Sequence, residues 1–323
     1  MDLQLGVGEK PQTRGPAETL LHNRLLIFGW HNVEGSWSFP NAPGRGAAQL
    51  ARQLRLLKRL ATVVPLSKAL HDLAAGRRLP RRAVAIVFDD GYRDNLEVAL
   101  PLLAQLELPA TFFLVPGILS GEVHAWWELL AWALQRSGRS SINWEDRRLR
   151  LDGPVQRLRV FEGIAEQLKL RDRAAREQAT EELVAALAPP GPRPALFLDW
   201  DHARELVGAG FAVGSHSQFH AILARESPEE QRRDLIASRL QLEQELQVPV
   251  DLLAYPNGRV CDYDQNTVEA AKHAGFSFAI TTRFGFNGLD TPPYEIRRSV
   301  VAPQVVGTGL MSRAVWAWLT DSG

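Results

Sequence analysis

Short apolar runs alternate with longer amphipathic stretches along most of the chain. The β-prone runs predict eight strands, at Leu25–Trp30, Ala61–Pro65, Ala83–Phe88, Ala110–Val115, Phe211–Ser215, Asp251–Tyr255, Phe276–Thr281 and Tyr294–Val300. Apolar residues at helical spacing predict helices between them, at Ala47–Leu60, Asn95–Leu106, Asp199–Ala209, Pro228–Leu246 and Asp262–Ala274. Nearly continuous apolar strands that alternate with helices are typical of a parallel sheet covered by helices.

The number of strand–helix units indicates how that sheet is arranged. Eight such units in a chain of 323 residues fit a barrel better than an open sheet. The expected fold is therefore α/β, a distorted (β/α) barrel of seven or eight parallel strands. Residues 1–22 mix acidic, basic, proline and glycine residues and are predicted to be an N-terminal tail. Residues 23–323 are predicted to form a single domain.

One region, about residues 118–194, interrupts the alternation. It contains no run that predicts a strand, but it has four tryptophans and a charged helical stretch, Pro154–Leu187, that ends in a proline cluster. We expect a helical insertion after the fourth strand. Loops at the carboxyl ends of barrel strands build the active site, so the insertion is expected to wall or roof it. The alternative is a helical layer that only packs against the barrel.

Composition and charge narrow the class of protein. Basic and acidic side chains both total 37, so the net charge is zero and the basic surface of a nucleic-acid-binding protein is not expected. The single cysteine, Cys261, excludes a disulfide framework and a zinc site of paired cysteines. No apolar run reaches about 18 residues, so no transmembrane segment is predicted. The N-terminus does not read as a secretory signal, and the expected compartment is the cytoplasm.

Two adjacent carboxylates, Asp89 and Asp90, follow the strand Ala83–Phe88 directly and precede Gly91. At a strand end that runs into a glycine turn, both side chains can face the barrel mouth. Two carboxylates this close cannot both stay ionised in a dry site without a cation. The pattern therefore predicts a metal on one carboxylate, with the other free as a base. The alternative is a helix N-cap and turn, because Asp-Asp-Gly is also good turn chemistry.

Two histidines, His216 and His220, follow another predicted strand and are four positions apart. On a helical turn this spacing places both imidazoles on one face, where they suit one divalent ion. A histidine alone would more often be a packed or surface residue. Together with Asp90 the pair offers three protein ligands, which leaves open positions on the metal for water and substrate. That is the coordination of a catalytic ion rather than a structural one.

These segments resemble the polysaccharide deacetylase family, which is carbohydrate esterase family 4. The motifs that carry the resemblance are Phe-Asp-Asp-Gly-Tyr at 88–92 and His-Ser-Gln-Phe-His at 216–220. Further segments match: Trp-His-Asn-Val at 30–33 is similar to the Tyr-His-x-Val opening of one branch, Ala-Thr-Phe-Phe at 110–113 to a family strand, Ala-Tyr-Pro-Asn-Gly at 254–258 to Ala-Tyr-Pro-Tyr-Gly, and 275–282 to a later strand. The resemblance covers most of residues 24–300, apart from the insertion.

The resemblance implies a hydrolase that removes N-acetyl groups with one divalent metal ion, usually Zn²⁺. Asp90, His216 and His220 would bind the metal, and Asp89 would be the general base. This division agrees with the residue types, because a cation lowers the pKa of its water towards roughly 7 and a neighbouring carboxylate can then accept the proton.

The chain departs from the family pattern at two functional positions. Many members carry a late Leu-x-His whose histidine protonates the leaving amine, but this chain has no histidine after Arg298. In the branch with the Tyr-His-x-Val opening, the histidine of that motif takes the role, which assigns the general acid to His31. The alternative is that His31 only braces the first strand. The Arg-Pro-Pro-Tyr-Gly segment, with its base-orienting arginine, is also replaced; Arg259 or Arg297 could compensate, and spacing does not choose between them.

Other residues are candidates on the substrate side. The family's usual oxyanion donor is a backbone N–H near Tyr255, which Pro256 follows. Trp126 and Trp127 could stack on a sugar ring, because aromatic faces suit the C–H face of pyranoses. Alternatively, the two tryptophans form the buried seam of the insertion. Downstream of the aspartate pair, residues 94 and 95 (Asp-Asn) are predicted to cap a helix.

These observations predict a metal-dependent hydrolase that removes N-acetyl groups from an amino sugar or glycan intermediate. Two alternatives stay open: a catalytically silent carbohydrate-binding barrel, and a metal-dependent amidase that acts on a non-sugar amide. A decayed enzyme usually loses a metal ligand or the base first, so the intact set of four side chains favours the enzyme. In the cytoplasm, the expected substrate is a nucleotide-linked or lipid-linked sugar, or a biosynthetic intermediate of a surface glycan.

Overall fold

The computed structural model describes residues 23–40 and 44–301. The predicted tail, residues 1–22, and residues 302–323 of the predicted domain lie outside the described residues, so this division of the chain stays a prediction. The strands of the described ranges are β1 (Leu25–Trp30), β2 (Thr62–Val63), β3 (Ala83–Phe88), β4 (Thr111–Leu114), β5 (Ser141–Trp144), β6 (Arg147–Arg150), β7 (Ala212–Ser215), β8 (Leu252–Ala254), β9 (Phe278–Ile280) and β10 (Ser299–Val300).

Helices cover the regions between these strands. They are α1 (Arg45–Leu60), α2 (Leu66–Ala74), α3 (Leu100–Gln105), α4 (Pro116–Leu119), α5 (Trp126–Arg136), α6 (Gly153–Leu168), α7 (Arg173–Leu187), α8 (Trp200–Gly208), α9 (Pro228–Leu246) and α10 (Gln265–Ala274). A turn of π-helix, Asn95–Ala99, leads into α3, and a 3₁₀ turn, Leu223–Arg225, precedes α9. Across residues 23–40 and 44–301, no helix combines the length and apolar character needed to cross a membrane.

Eight of the strands form one parallel sheet. Its order is β10-β1-β3-β4-β7-β8-β9, with the short β2 paired to the first half of β3. The two ends of this order approach each other through the last segment of the sheet. Ile296 bridges to Ile280 of β9, while Ser299 of β10 pairs with Phe28 of β1. The predicted distorted (β/α) barrel of parallel strands is confirmed.

The residues of β1 alternate between two apolar clusters, as expected when both faces of a parallel strand are covered. Leu26, Phe28 and Trp30 belong to the larger cluster, which includes residues of α1, α3, α8, α9 and α10. Leu25 and Ile27 belong to a second cluster, which includes one face of α2. This double burial fixes the register of the strand, because a one-residue slip would exchange its two faces.

The insertion after β4 has an apolar core of its own, built from α5, α6, α7 and the strand β5. The expectation of no strand in this region is wrong, because β5 and β6 form an antiparallel hairpin in which Ser141 pairs with Arg150. The reason lies in the sequence of β6, Arg-Arg-Leu-Arg, whose single apolar residue does not make an apolar run. The charged stretch Pro154–Leu187 also forms two helices rather than one.

Candidate metal centre and active site

Asp89 and Asp90 lie at the carboxyl end of β3, where the chain turns sharply. Asp89 continues the sheet, since its N–H donates to the Trp30 carbonyl at 2.8 Å. Asp90 and Gly91 then both adopt positive φ, at 70° and 73°. Glycine adopts this left-handed conformation freely, and aspartate tolerates it better than most residues. The turn buries both carboxylates at one strand end, with 0% of Asp89 and 4% of Asp90 exposed.

His216 and His220 lie on the loop that follows β7. The helical turn expected from their spacing is wrong: the loop is irregular, and both Ser217 and His220 have positive φ, at 62° and 52°. Tertiary contacts shape it instead, because Oδ1 of Asp234 on α9 accepts the N–H of Gln218 at 2.7 Å. The two imidazole rings nevertheless meet, with their centroids 4.9 Å apart.

Asp90, His216 and His220 bring one carboxylate oxygen and two ring nitrogens within 4.8 Å of one another. Oδ1 of Asp90 is 3.3 Å from Nε2 of each histidine, and it is buried without an aligned hydrogen-bond donor among the described residues. Nδ1 of His216 is 2.7 Å from the Ala254 carbonyl, the kind of outer contact that would fix the ring of a metal-binding histidine. This buried set of one oxygen and two nitrogens fits a divalent ion such as zinc.

Neighbouring charges favour the ionised form of both carboxylates. Burial would raise the pKa of Asp89, but nearby positive charge, that of Arg298 above all, outweighs burial and lowers it. Burial also opposes ionisation of Asp90, yet the two imidazoles that face it hold its pKa well below the usual range. For His220 burial prevails and lowers the pKa. A neutral imidazole is the form that binds a metal.

The side chain paired with Asp89 is Arg298, which is not among the residues predicted from the sequence. Nη1 of Arg298 lies 2.7 Å from Oδ1 and 2.6 Å from Oδ2 of Asp89, and both side chains are 1% exposed. Nε of Arg298 donates to the Thr281 carbonyl at 3.0 Å. Gly29 of β1 packs closely beside the arginine, because a Cβ atom there would lie 3.2 Å from Cγ2 of Val87 and 3.4 Å from Cδ of Arg298. A guanidinium just before β10 therefore neutralises a carboxylate at the end of β3.

Arg259 and Arg297, the two arginines considered for this role, are engaged elsewhere or point away. Nε of Arg259 pairs with Asp262 at 2.9 Å. Within the described part of the chain, no ion pair joins Arg259 or Arg297 to Asp89. Neighbouring residues of an extended segment point to opposite sides, so only one of Arg297 and Arg298 can face the barrel interior. That alternation was the signal available in the sequence, although it does not by itself say which arginine faces inward.

His31 lies on the loop after β1, with 30% of its side chain exposed and its Nε2 3.8 Å from Oδ2 of Asp89. Nδ2 of Asn95 donates to the His31 carbonyl at 2.7 Å. Oδ2 of Asp94 accepts two backbone N–H groups of the same loop, each at 2.8 Å, and burial raises the pKa of Asp94 to about 6. The predicted cap is wrong, since Asp94 makes no capping hydrogen bond. Both polar side chains instead hold the loop that carries His31.

Tyr255 follows β8 and is buried. Its N–H donates to the Ile280 carbonyl at 3.0 Å, and its hydroxyl donates to the Tyr294 carbonyl at 3.2 Å. The N–H of Tyr255 is therefore used within the barrel, and Pro256 has none to offer. An oxyanion donor near Tyr255 and Pro256 stays a prediction.

Trp126 and Trp127 begin α5 and are more than nine-tenths buried, as the packing alternative expects. The ring of Trp127 packs against the imidazole of His220, with centroids 4.4 Å apart. Trp126 meets Trp127 edge to face at 6.0 Å, and Cζ of Arg176 lies 5.5 Å from the Trp126 ring centroid. The insertion thus walls the candidate metal-ligand cluster as well as packing on the barrel. Sugar stacking by either tryptophan stays a prediction.

Comparison with known proteins adds independent evidence. The sequence profile of the polysaccharide deacetylases matches residues 76–148 and 159–279. YxkH of Bacillus subtilis (strain 168), whose name assigns it to the polysaccharide deacetylases, is 22% identical over 236 residues. That alignment covers 73% of this chain and 57% of YxkH, so the chain spans little more than half the length of this relative.

Solved structures share the fold at low sequence identity. The Streptococcus pyogenes deacetylase PplD, described in complex with acetate, is 16% identical, with a TM-score of 0.59 over 88% of this chain and 95% of its own. IcaB from Ammonifex degensii is 19% identical, with a TM-score of 0.56 over 92% of this chain and 97% of its own. The matched profile segments include both aspartates and both histidines of the cluster, whereas His31 and Arg298 lie outside them. With the profile matching well over half of its length, this chain belongs to the polysaccharide deacetylase family.

Proposed function

We propose that this chain is a metal-dependent N-deacetylase that removes acetyl groups from an amino sugar or a glycan intermediate. The observation that carries the proposal is that two adjacent residues, Asp89 and Asp90, have different surroundings. Asp90 faces two imidazoles at 3.3 Å, whereas Asp89 faces Arg298 and keeps one oxygen without an aligned hydrogen-bond donor among the described residues. One carboxylate is thus suited to bind a cation, and the other to accept a proton.

Asp90, His216 and His220 would hold the metal ion, which we assign as zinc from its preference for nitrogen and oxygen ligands in a small, buried set. When bound there, the ion would supply Lewis-acid polarisation of the amide carbonyl.

Asp89 would accept the proton of the attacking water. Oδ2 of Asp89 has no aligned hydrogen-bond donor among the described residues, although Nη1 of Arg298 lies 2.6 Å from it. It is 4.0 Å from Nε2 of His216, which places it beside the proposed metal ligands. The guanidinium of Arg298 keeps Asp89 ionised and restricts the orientation of the carboxylate plane. A base must be both ionised and correctly placed before the reaction, and this ion pair supports both requirements.

His31 would protonate the leaving amine. Its imidazole is partly exposed at the mouth of the site, and its Nε2 lies 3.8 Å from Oδ2 of Asp89. In the balanced reaction, the oxygen of water bonds to the acetyl carbon, the carbon–nitrogen bond breaks, and the amine nitrogen takes up a proton. The products are acetate and a free amine.

The direct test measures metal content and acetate release together. Purified protein should contain close to one equivalent of zinc by mass spectrometry and should release acetate from N-acetylglucosamine oligomers. Acetate is also the molecule described with the S. pyogenes deacetylase. A zinc-loaded, folded protein that releases no acetate from these or from nucleotide-linked N-acetyl sugars would contradict the proposal and favour a carbohydrate-binding barrel.

A further inference from the structure

A buried carboxylate in the insertion, Glu128, lies outside the site described so far. It is the third residue of α5 and is 1% exposed. Within the described ranges, none of the hydrogen bonds to its carboxylate comes from a lysine, an arginine or a histidine. Its charge is instead stabilised by five hydrogen bonds from neutral N–H and O–H groups. Such a group is costly to bury unless its donors are held in place.

Four of the five donors belong to one short segment of the loop that carries His31. The hydroxyls of Ser36 and Ser38 donate to Oε1, the first at 2.7 Å. The N–H groups of Trp37 and Ser38 donate to Oε2 at 3.0 and 3.2 Å. The carboxylate therefore ties the loop after β1 to the first turn of α5.

The fifth donor leads to the metal-ligand cluster. The hydroxyl of Tyr92 donates to Oε1 of Glu128 at 2.9 Å, and the same hydroxyl accepts Nε1–H of Trp127 at 2.8 Å. The ring of Trp127 packs on His220 at 4.4 Å. The Tyr92 hydroxyl has one proton, which it donates to Glu128, and its lone pairs accept the N–H of the Trp127 indole. The donor and the acceptor of each hydrogen bond from Trp127 to Glu128 are therefore fixed.

We infer that Glu128 is a positioning residue. It holds the loop that carries His31, and through Tyr92 the Trp127 ring that packs on His220, in place beside the proposed metal site. The inference rests on the proposed function for the role of His31, but the link to His220 does not depend on it. A carboxylate suits this place better than an amide, because the N–H groups of Trp37 and Ser38 can only donate and the Tyr92 hydroxyl, which already accepts from Trp127, needs an acceptor for its proton. Glutamine in its place would have to turn its NH₂ group towards one side. It would then either face the two N–H groups or leave the Tyr92 proton without an acceptor, and both outcomes would push the loop and the Trp127 ring apart.

The test distinguishes two groups of contacts of Glu128: those to the loop that carries His31, and the one through Tyr92 to Trp127. Co²⁺ is titrated into metal-free full-length protein and followed by its visible absorption, and kcat and KM for acetate release are measured on the zinc-loaded protein. Glu128→Gln should weaken Co²⁺ binding by about 3- to 10-fold, somewhat less than direct outer-contact substitutions do. It should also lower kcat by about 10-fold, with KM changed less than about 2-fold, since the displaced groups act on the reaction rather than on sugar binding.

Two milder variants address the two groups of contacts separately. Tyr92→Phe cuts the link to Trp127 and should weaken Co²⁺ binding to a similar degree. Ser38→Ala removes a contact to the loop only, so it should lower kcat by several-fold and leave Co²⁺ affinity within about 2-fold of the parent. Glu122→Gln, an exposed glutamate just before α5, is the matched control and should change neither quantity.

The inference fails if Glu128→Gln and Tyr92→Phe bind Co²⁺ with the affinity and spectrum of the parent. It also fails if all three variants lose thermal stability while kcat and Co²⁺ affinity stay at parental values, which is the result of a purely structural role. Should Glu128→Gln not fold, the other two variants decide. A parent protein that binds Co²⁺ but releases no acetate refutes the proposed function, while the Co²⁺ titrations still test the link from Glu128 to His220.

Discussion

Nη1 of Arg298 lies 2.6 Å from Oδ2 of Asp89, although 209 residues separate the two in the sequence. Both side chains are 1% exposed, and Nε of the arginine is held by a backbone carbonyl. Removing one partner of a buried ion pair leaves an uncompensated charge, which costs more than the pair itself contributes. The pair therefore governs the stability of the barrel as well as the state of the proposed base.

Arg298→Gln should lower both turnover and stability. We expect kcat to fall by about 100-fold, which corresponds to ~2.7 kcal/mol of transition-state stabilisation. The free energy of unfolding should fall by about 3 kcal/mol because Asp89 stays buried without a counter-charge. Acetate release and urea denaturation measure the two effects. Arg297→Gln is the control and should change unfolding by no more than about 0.5 kcal/mol; equal effects at both positions would refute the assignment.

Asp89→Asn and Asp90→Asn should separate the base from the metal ligand. Asp89→Asn should keep its zinc and lose turnover by about 10³-fold, since a general base contributes effects of that order. Asp90→Asn should lose most of its zinc, because one ligand of the set loses its charge. Metal analysis after dialysis and acetate assays distinguish the two. Parental turnover in Asp89→Asn would show that the base is assigned to the wrong residue.

His31→Gln should slow the reaction most for substrates with a poor leaving group. An alkyl amine must be protonated as it departs, so kcat on an N-acetyl sugar should fall by about 10²-fold. An activated aryl acetate, whose leaving group needs no proton, should lose less than about 3-fold. His124→Gln, an exposed histidine of the insertion, serves as the control. A uniform loss on both substrates would assign His31 to bracing the first strand instead.

Asp234 should make stability depend on pH. Burial raises the pKa of Asp234 in the folded protein to about 7, against 3.8 as its ordinary value. Between these values the folded state holds a proton that the unfolded chain has released, so stability falls as the pH rises from about 4 to about 7. The loss attributable to this group is at most ~4 kcal/mol, from 1.36 kcal/mol per unit of pKa.

Comparison with Asp234→Asn isolates that contribution from the titration of the histidines. The difference in unfolding free energy between the parent and the variant should shift in favour of the variant as the pH rises from about 4 to about 7 and level off above that, measured by urea denaturation of metal-free protein. The amide oxygen of asparagine can still accept the N–H of Gln218, so the loop should keep its shape. A difference that stays constant from pH 4 to pH 7.5 would contradict the prediction.

The sequence predicted the barrel because the information that specifies it is local. Nearly continuous apolar strands such as β1 and β3 are marked by their own composition, and the helices between them by their spacing. The hairpin β5–β6 could not be predicted, because this local information is missing there. Its second strand has three arginines in four residues, and its pairing depends on the partner strand rather than on any apolar pattern of its own.

The aspartate and histidine motifs were predicted because short spacings define them, whereas Arg298 depends on tertiary structure. Nothing near Asp89 in the sequence indicates that an arginine 209 residues later will face it. The cap predicted at Asp94 is wrong because of tertiary contacts as well. Its position before a helical segment indicates a cap, but two N–H groups of a distant loop compete successfully for its carboxylate.

The register of β10 against β1 has a consequence for the order in which the proposed site is assembled during synthesis. Phe28 of β1 pairs with Ser299 of β10, so β1 gains this neighbour only after the segment that also carries Arg298 has been synthesised. A nascent chain that has already emerged through β9 contains both aspartates and both histidines, yet its buried acid still lacks the cation that balances it. The proposed site is therefore complete only once the segment that carries Arg298 has been made and lies beside β1.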